Sequence, residues 1–421
     1  MTAPAMAAAE CAARDSYGRL LAFLAGRSRD LAAAEDALAD AFERALRTWP
    51  RDGVPDRPEA WLLTVARRLQ HNTRRNAGVG LAAGESLAIL AEAAQAEAET
   101  TGFPDERLKL LFLCAHPAID AAIRTPLMLQ TVLGLNAQQI GAAFMVAPAA
   151  MGQRLVRAKA KIRDAGIAFA TPALADLQER LQAVLEAVFA AYGTAWQDAT
   201  GTDPMLRDLS DEALFLARLL AELLPQEPEA LGLLSLILHS RARQAARRDA
   251  SGAFVPLQEQ DTRLWDAASM KEAEAHLLAA ASLGRPGRFQ LEAAIQSAHA
   301  DRARSGVTPW HDLLNLYEAL MHHAPTLGAA LARAVCVGEV HGAAAALAAM
   351  AELAGEAALY QPFWAARAHW QARAGHPEAA RSYEEAIRLA RDPALQAFLR
   401  ARQALTSQLL QPCPAPPADS R

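Results

Sequence analysis

Between Met151 and Arg163 the chain places five basic residues, Arg154, Arg157, Lys159, Lys161 and Arg163, and no acidic one. The whole molecule carries a formal net charge of -5, so this segment is a local inversion of sign. Met151, Leu155, Ala158 and Ile162 recur at i, i+4, i+7 and i+11, the spacing of a buried helical stripe. Gln153, Arg154, Arg157 and Lys161, with Lys159 and Arg163 at the edge, then project from other faces. Cationic and amide side chains on one helix without carboxylates suit phosphates and base edges, the electrostatic footprint of a helix in a major groove. The competing reading is an ordinary solvated basic face.

A helix in that role needs a partner to set its angle, and the residues before it supply one. Asn136 and Gln139 have capping-box spacing, which starts a helix whose apolar residues are Ile140, Ala143 and Phe144. After Met145, Val146 and Ala147, Pro148 suits the first position of a second helix. Two short helices across a turn of three to four residues form a helix-turn-helix. A second basic cluster, Arg67, Arg68, Arg74 and Arg75, ends a helix that begins near Pro58 and carries the apolar stripe Trp61, Leu62, Val65 and Leu69. Those arginines either meet phosphates or complement the helix dipole.

The remaining elements are helical too. The 421 residues are 52% apolar, dominated by Ala and Leu, and only 6% aromatic, which predicts an all-α protein of two to four units. A net charge of -5 excludes a polyanion binder that works by bulk charge. Before the Pro58 helix lies a turn-rich stretch from Trp49 to Pro58, with one Gly and three Pro including Pro58 itself, expected to interrupt helical structure. Residues 77–104 hold Glu85, Glu92, Glu97 and Glu99 and no Lys or Arg, an acidic linker. A second unit follows over 105–170, and then helices separated by Pro and Gly breaks run to about 410. The segment Ala372 to Ala390, with a turn at Gly375-His376-Pro377 and then Pro393, is patterned like a tetratricopeptide hairpin. Residues 411–421 are Pro-rich, a composition that predicts a disordered tail. The cluster Arg241, Arg243, Arg247 and Arg248 with Glu259, Asp261 and Arg263 is either an internal ion-pair network or a partner site.

Cys11, Cys114, Cys336 and Cys413 are far apart and form no CxxC pair, which points to a reducing cytoplasm. His116 lies near Cys114, but no second Cys/His pair is spaced for zinc. No metal, cofactor or catalytic set is therefore expected, and no Gly-rich phosphate loop occurs. The alanine-rich N-terminus lacks a basic n-region, and no stretch approaches 18 uncharged apolar residues. Neither secretion nor a membrane partner is expected.

The run Ala34 to Phe42, then Trp61 to Arg68, then Gln153 to Arg163 resembles, in order, the two conserved regions of extracytoplasmic-function sigma factors. Leu111 to Ala118, the Arg-rich stretch from Ser240 to Arg248 and Leu257 to Trp265 resemble a subgroup with a C-terminal tetratricopeptide-like extension. The resemblance implies a region 2 bundle over 10–76, a region 4 helix-turn-helix over 105–170 and a helical superhelix over 171–410. It implies bacterial RNA polymerase core and promoter DNA as partners. Asp36, Asp40 and Glu43 would meet the clamp, and region 4 the flap. Trp61, Arg67, Arg68, Arg74 and Arg75 would read the −10 element, while Gln153, Arg154, Arg157, Lys159, Lys161 and Arg163 would read the −35 element. The linker would thread toward the active-site and RNA-exit channel, and the extension would take a protein or peptide partner.

Three departures separate the chain from that pattern. Ala147-Pro148-Ala149-Ala150 replaces the subgroup's Pro-Glu-Ala-Thr, Asn72 stands where Asp is usual, and Ala39 where Gln is usual. The promoter sequence therefore does not transfer from relatives. The expected protein is a promoter-recognition subunit and not an enzyme. A helix-turn-helix regulator with a helical sensor domain and a tetratricopeptide-like adaptor are the alternatives.

Overall fold

The computed structural model describes residues 3–28, 30–77, 106–144, 146–196 and 204–409. The expected linker 77–104 and the tail 411–421 lie almost wholly outside them. The described residues are almost entirely helical, and their only β feature is an isolated bridge between Arg248 and Phe254. The chain divides into two compact units, 1–216 and 217–421. No helix among the described residues is long and apolar enough to cross a membrane.

In the first unit, α1 (Ala3–Ser28) puts Leu20, Leu21 and Leu24 fully inside the core. Asp30 then caps α2 (Leu31–Asp52) by accepting the N–H of Ala33 at 3.1 Å. Leu31, Ala34, Leu38, Ala41, Ala45 and Trp49 recur at threes and fours on its buried side. The helix runs through Pro50 to Asp52, beyond the expected break at Trp49. Proline removes one N–H, but here only in the last turn, and the positive φ of 88° at Gly53 completes the stop. In α3 (Pro58–Ala77) the core takes Leu62, Leu63 and Ala66. The expected stripe is thus rotated: Trp61, Val65 and Leu69 are only half-buried, because Trp61 turns edge-on to Trp49 with ring centroids 5.5 Å apart.

Helix α4 (Arg107–Cys114) is buried at every residue from Leu110 to Cys114, as an element enclosed on all sides must be. Helix α5 (Ala121–Leu133) is capped by Asp120, which accepts from Ala122 at 2.9 Å, and it stops at left-handed Gly134. Next come α6 (Ala137–Ala143), α7 (Pro148–Asp164) and α8 (Leu174–Trp196). Helix α1 packs on α2 and α3 and also on α4 and α5. Helix α8 closes the other side of α4 and α5: Thr125 donates to the Ala187 carbonyl at 3.0 Å and Arg180 to the Phe112 carbonyl at 3.4 Å. The first helix beyond residue 171 therefore belongs to this core.

The division falls within α9 (Pro204–Leu223). In the second unit α10 (Pro228–Ala242) is buried from Pro228 to His239 and packs on α11 (Ala267–Ser282) and α12 (Arg288–Ala300). After the short α13 (Arg302–Ser305) follow α14 (Trp310–His323), α15 (Leu327–His341), α16 (Ala343–Ala351), α17 (Gln361–Arg373), α18 (Ala379–Leu389) and α19 (Pro393–Leu409). From α14 onward each helix packs chiefly on the next in sequence, as in solenoids. The 361–389 hairpin turns at Gly375, φ 72°, and its helices are joined by a buried Ser382–Gln371 hydrogen bond of 2.6 Å.

Several members of the arginine-rich cluster find partners within the second unit. Arg248 pairs with Asp392 at 2.6 Å, Arg402 with Glu259, and Arg263 with Asp261, while Arg243 donates to Gln296. Arg302 gathers the carbonyls of Leu257, Gln258 and Gln260 and lies over Trp265, so the loop before α11 is held from within the unit.

Candidate nucleic-acid interface

The capping box forms as the spacing predicts. Asn136 accepts the N–H of Gln139 at 2.9 Å, and the Gln139 side chain accepts the N–H of Asn136 at 2.9 Å. The turn from α6 to α7 folds back so closely that a Cβ on Gly141 would lie 2.6 Å from the Val146 carbonyl oxygen. Glycine is the residue this approach permits, and it sets the angle between the two helices. Replacing Asn136 by Ala is expected to cost about 1 kcal/mol. That loss should appear as faster hydrogen exchange in α6 and a lower Tm.

On α7 the buried residues are Met151, Leu155, Ala158 and Ile162, the stripe read from the sequence. Gln153, Arg154, Arg157, Lys161 and Arg163 are exposed. Arg154, Arg157 and Lys161 open onto a cleft of about 560 Å³ whose opposite wall includes Ile119, Asp120 and Ile123. That wall was not singled out by sequence reasoning, because residues near the start of α5 meet α7 only through the tertiary fold. Arg163 contacts Asp164 at 3.1 Å on the surface, an exposed pair worth little.

Lys159 departs from the other five. Its ammonium is 2.5 Å from Glu35 of α2, and each side chain is only 12% exposed. It is turned into the unit and not presented to solvent with its neighbours, because α2 packs along this side of α7. Burial pushes the Glu35 carboxyl above its ordinary pKa, and the Lys159 charge opposes that shift. The second Glu35 oxygen, Oε1, is buried without a hydrogen-bond partner. Glu35 lies inside the run 34–42 but had no assigned role, since helix spacing does not identify a partner 124 residues away.

Asp36, Asp40 and Glu43 are exposed on α2, with Glu43 paired to Arg47 at 2.5 Å. Arg68 is exposed on α3, and Arg67 is half-buried with contacts of its own. The side chains of Arg74, Arg75 and Asn72 lie outside the described residues. His116 accepts the Ala118 N–H at 3.1 Å, and Cys114 contacts Thr131 at 3.3 Å. Both therefore serve the turn and core around α4. No group of three or more His, Cys, Asp or Glu among the described residues is placed to hold a metal ion.

Residues 13–78, spanning α1 to α3, match sigma-70 region 2. Residues 180–281 match a family of unknown function (DUF6596), which runs from α8 to α11. An uncharacterized protein of Rhizobium meliloti (strain 1021) is 38% identical over 378 residues, 88% of this chain and 89% of that protein. No solved structure matches the chain. The chain therefore belongs to one family with the Rhizobium meliloti protein and carries a sigma-70 region 2, which supports a sigma-factor role in transcription initiation.

Proposed function

We propose that the chain is a sigma factor of the extracytoplasmic-function type, reading promoters through two modules and regulated through its C-terminal helices. The observation that carries this reading is the region 2 match followed by a capped helix pair whose second member exposes Gln153, Arg154, Arg157, Lys161 and Arg163. Region 2 implies polymerase core and promoter DNA as partners. In this reading Asp36, Asp40 and Glu43 meet the clamp, Trp61 and the α3 arginines hold the −10 strand, α7 reads the −35 element, and region 4 meets the flap. The protein works in the cytoplasm, catalyses no reaction of its own and uses no cofactor. The solenoid-like helices of the second unit serve a protein or peptide partner, a use that consecutive helix packing favours.

Run-off transcription with purified core polymerase tests the proposal. A specific transcript should appear only with both core and this chain. DNA binding without association with core would favour a helix-turn-helix regulator instead. Ending the chain after Phe169 should lower the Tm, because α8 leaves with its bonds to Thr125 and Phe112, each worth about 1 kcal/mol. The shortened chain should still hold core but initiate with altered promoter output. Output equal to the full chain at every promoter and salt concentration would refute regulation by the C-terminal part.

A further inference from the structure

The stretch between α10 and α11 is rooted at its far end and reaches across to α19, the last helix of the second unit. Trp265 is buried and donates to Gln260 at 3.2 Å, and Asp266 donates its N–H to the Ala242 carbonyl at 2.9 Å. Arg302 adds bonds to the carbonyls of Leu257 and Gln260, at 2.8 and 3.0 Å. Before this root the loop 249–259 turns on itself. Gly252 takes φ 83°, Val255 donates to the Arg247 carbonyl at 3.0 Å, and the Asp249 carboxylate accepts the N–H groups of Ser251 and Ala253 at 2.8 and 3.0 Å. These bonds hold the shape of the loop without α19.

The loop meets α19 through side chains. Arg248 pairs with Asp392 at 2.6 Å beside the start of α19, the Phe254 ring meets Phe398 edge-on at 5.4 Å, and Glu259 pairs with Arg402. Arg402 in turn lies over the Phe398 ring, 5.2 Å from its centroid. Phe398, Arg402 and Leu405 recur at i, i+4 and i+7, so they share one face of α19, and Leu405 is half-exposed. An arginine, a ring and a carboxylate of the loop are thus matched by a carboxylate, a ring and a guanidinium at the helix, as in a bound peptide. Yet no residue from Arg248 to Glu259 is fully buried. The core beneath α19, built on Ala368, Tyr383, Ala386, Ala390 and Leu399, takes no residue from the loop. The Glu259–Arg402 pair is about half-exposed on both sides and worth little. A segment held in this way opens at low cost while the helices beneath it stay folded.

We propose that Asp392, Phe398 and Arg402 form a binding site for an extended peptide of a partner protein, and that the loop 249–259 is its stand-in, occupying the site until the partner displaces it. The partner segment presents a carboxylate five residues after an aromatic ring, the order of Phe254 and Glu259. The proposal rests on the reading that the second unit serves a protein or peptide partner, and it gives that partner a site and a chemistry. A tethered loop acts at an effective concentration on the order of millimolar. A free segment of equal affinity therefore binds weakly until the loop is released.

The full-length chain carrying Phe254→Ala and Glu259→Arg loosens the loop and leaves α19 unchanged. The probe is a fluorescein-labelled synthetic peptide of residues 247–260, followed by anisotropy. It should bind the released chain at least about tenfold more tightly than the parent. Arg402→Glu in the released chain should abolish that binding, and a peptide carrying Glu259→Arg should restore it. If the released chain loses its helical signal, hydrogen exchange on the parent decides. The amides of Ala253 and Val255 should exchange ahead of those of α10 and α19, and excess peptide should speed them further. No peptide binding to a folded released chain overturns the site, as does exchange of the loop amides only together with the core. A released chain that dimerises and ignores the peptide places a second copy on α19 and overturns the partner. Each of these failures leaves the sigma reading standing, since run-off transcription with the parent tests that alone.

Discussion

Asp36→Arg combined with Asp40→Arg is expected to abolish co-purification with core polymerase. The two carboxylates are exposed one turn apart on α2, so they present a paired negative surface without supporting the core beneath them. The buried residues of that helix are Leu31, Ala34, Ala37, Leu38, Ala41, Ala45 and Trp49, and none changes. Reversal replaces attraction to a basic partner with like-charge juxtaposition, which costs several kcal/mol at an interface. Circular dichroism should match the parent while pull-down yield falls to background at moderate salt. A double variant recovered with core at the parent's yield would place the polymerase contact elsewhere.

Arg154→Ala with Arg157→Ala should be the most damaging change for promoter binding. Both side chains are exposed, flank the buried Leu155 and open onto the same cleft, so their loss leaves α7 seated. Each base or phosphate contact is worth about 1–3 kcal/mol, and two together amount to a loss of roughly 30-fold or more. Anisotropy titrations of the assembled holoenzyme on promoter DNA would measure it. The salt dependence separates the two kinds of contact: lost phosphate contacts lower the slope by about one each, whereas lost base contacts leave it unchanged. Affinity unaltered across the salt series would remove α7 from the interface. Polymerase association, which the proposed function assigns to α2, should be indifferent to this pair.

Much of the chain was legible because its rules are local. Periodicity marked Met151, Leu155, Ala158 and Ile162 as buried, and the side-chain chemistry of Asn136 and Gln139 started α6 where the hydrogen bonds place it. Alanine and leucine content specified an all-helical fold because those residues lose little entropy in a helix. Other features belonged to the tertiary structure. Pro50 lies inside α2, although a proline cluster reads as a break. Trp61 gave its place in the core to Leu63 once Trp49 stood beside it. Arg248 and Glu259 found Asp392 and Arg402, partners more than 140 residues away, which helix spacing does not encode. Lys159 shows the difference most clearly. By charge and position the sequence groups it with five polar neighbours on α7, and only the packing of α2 along α7 decides that it meets Glu35 instead. Helical periodicity determines which face a residue occupies, and the packing of helices distant in sequence determines what that face meets.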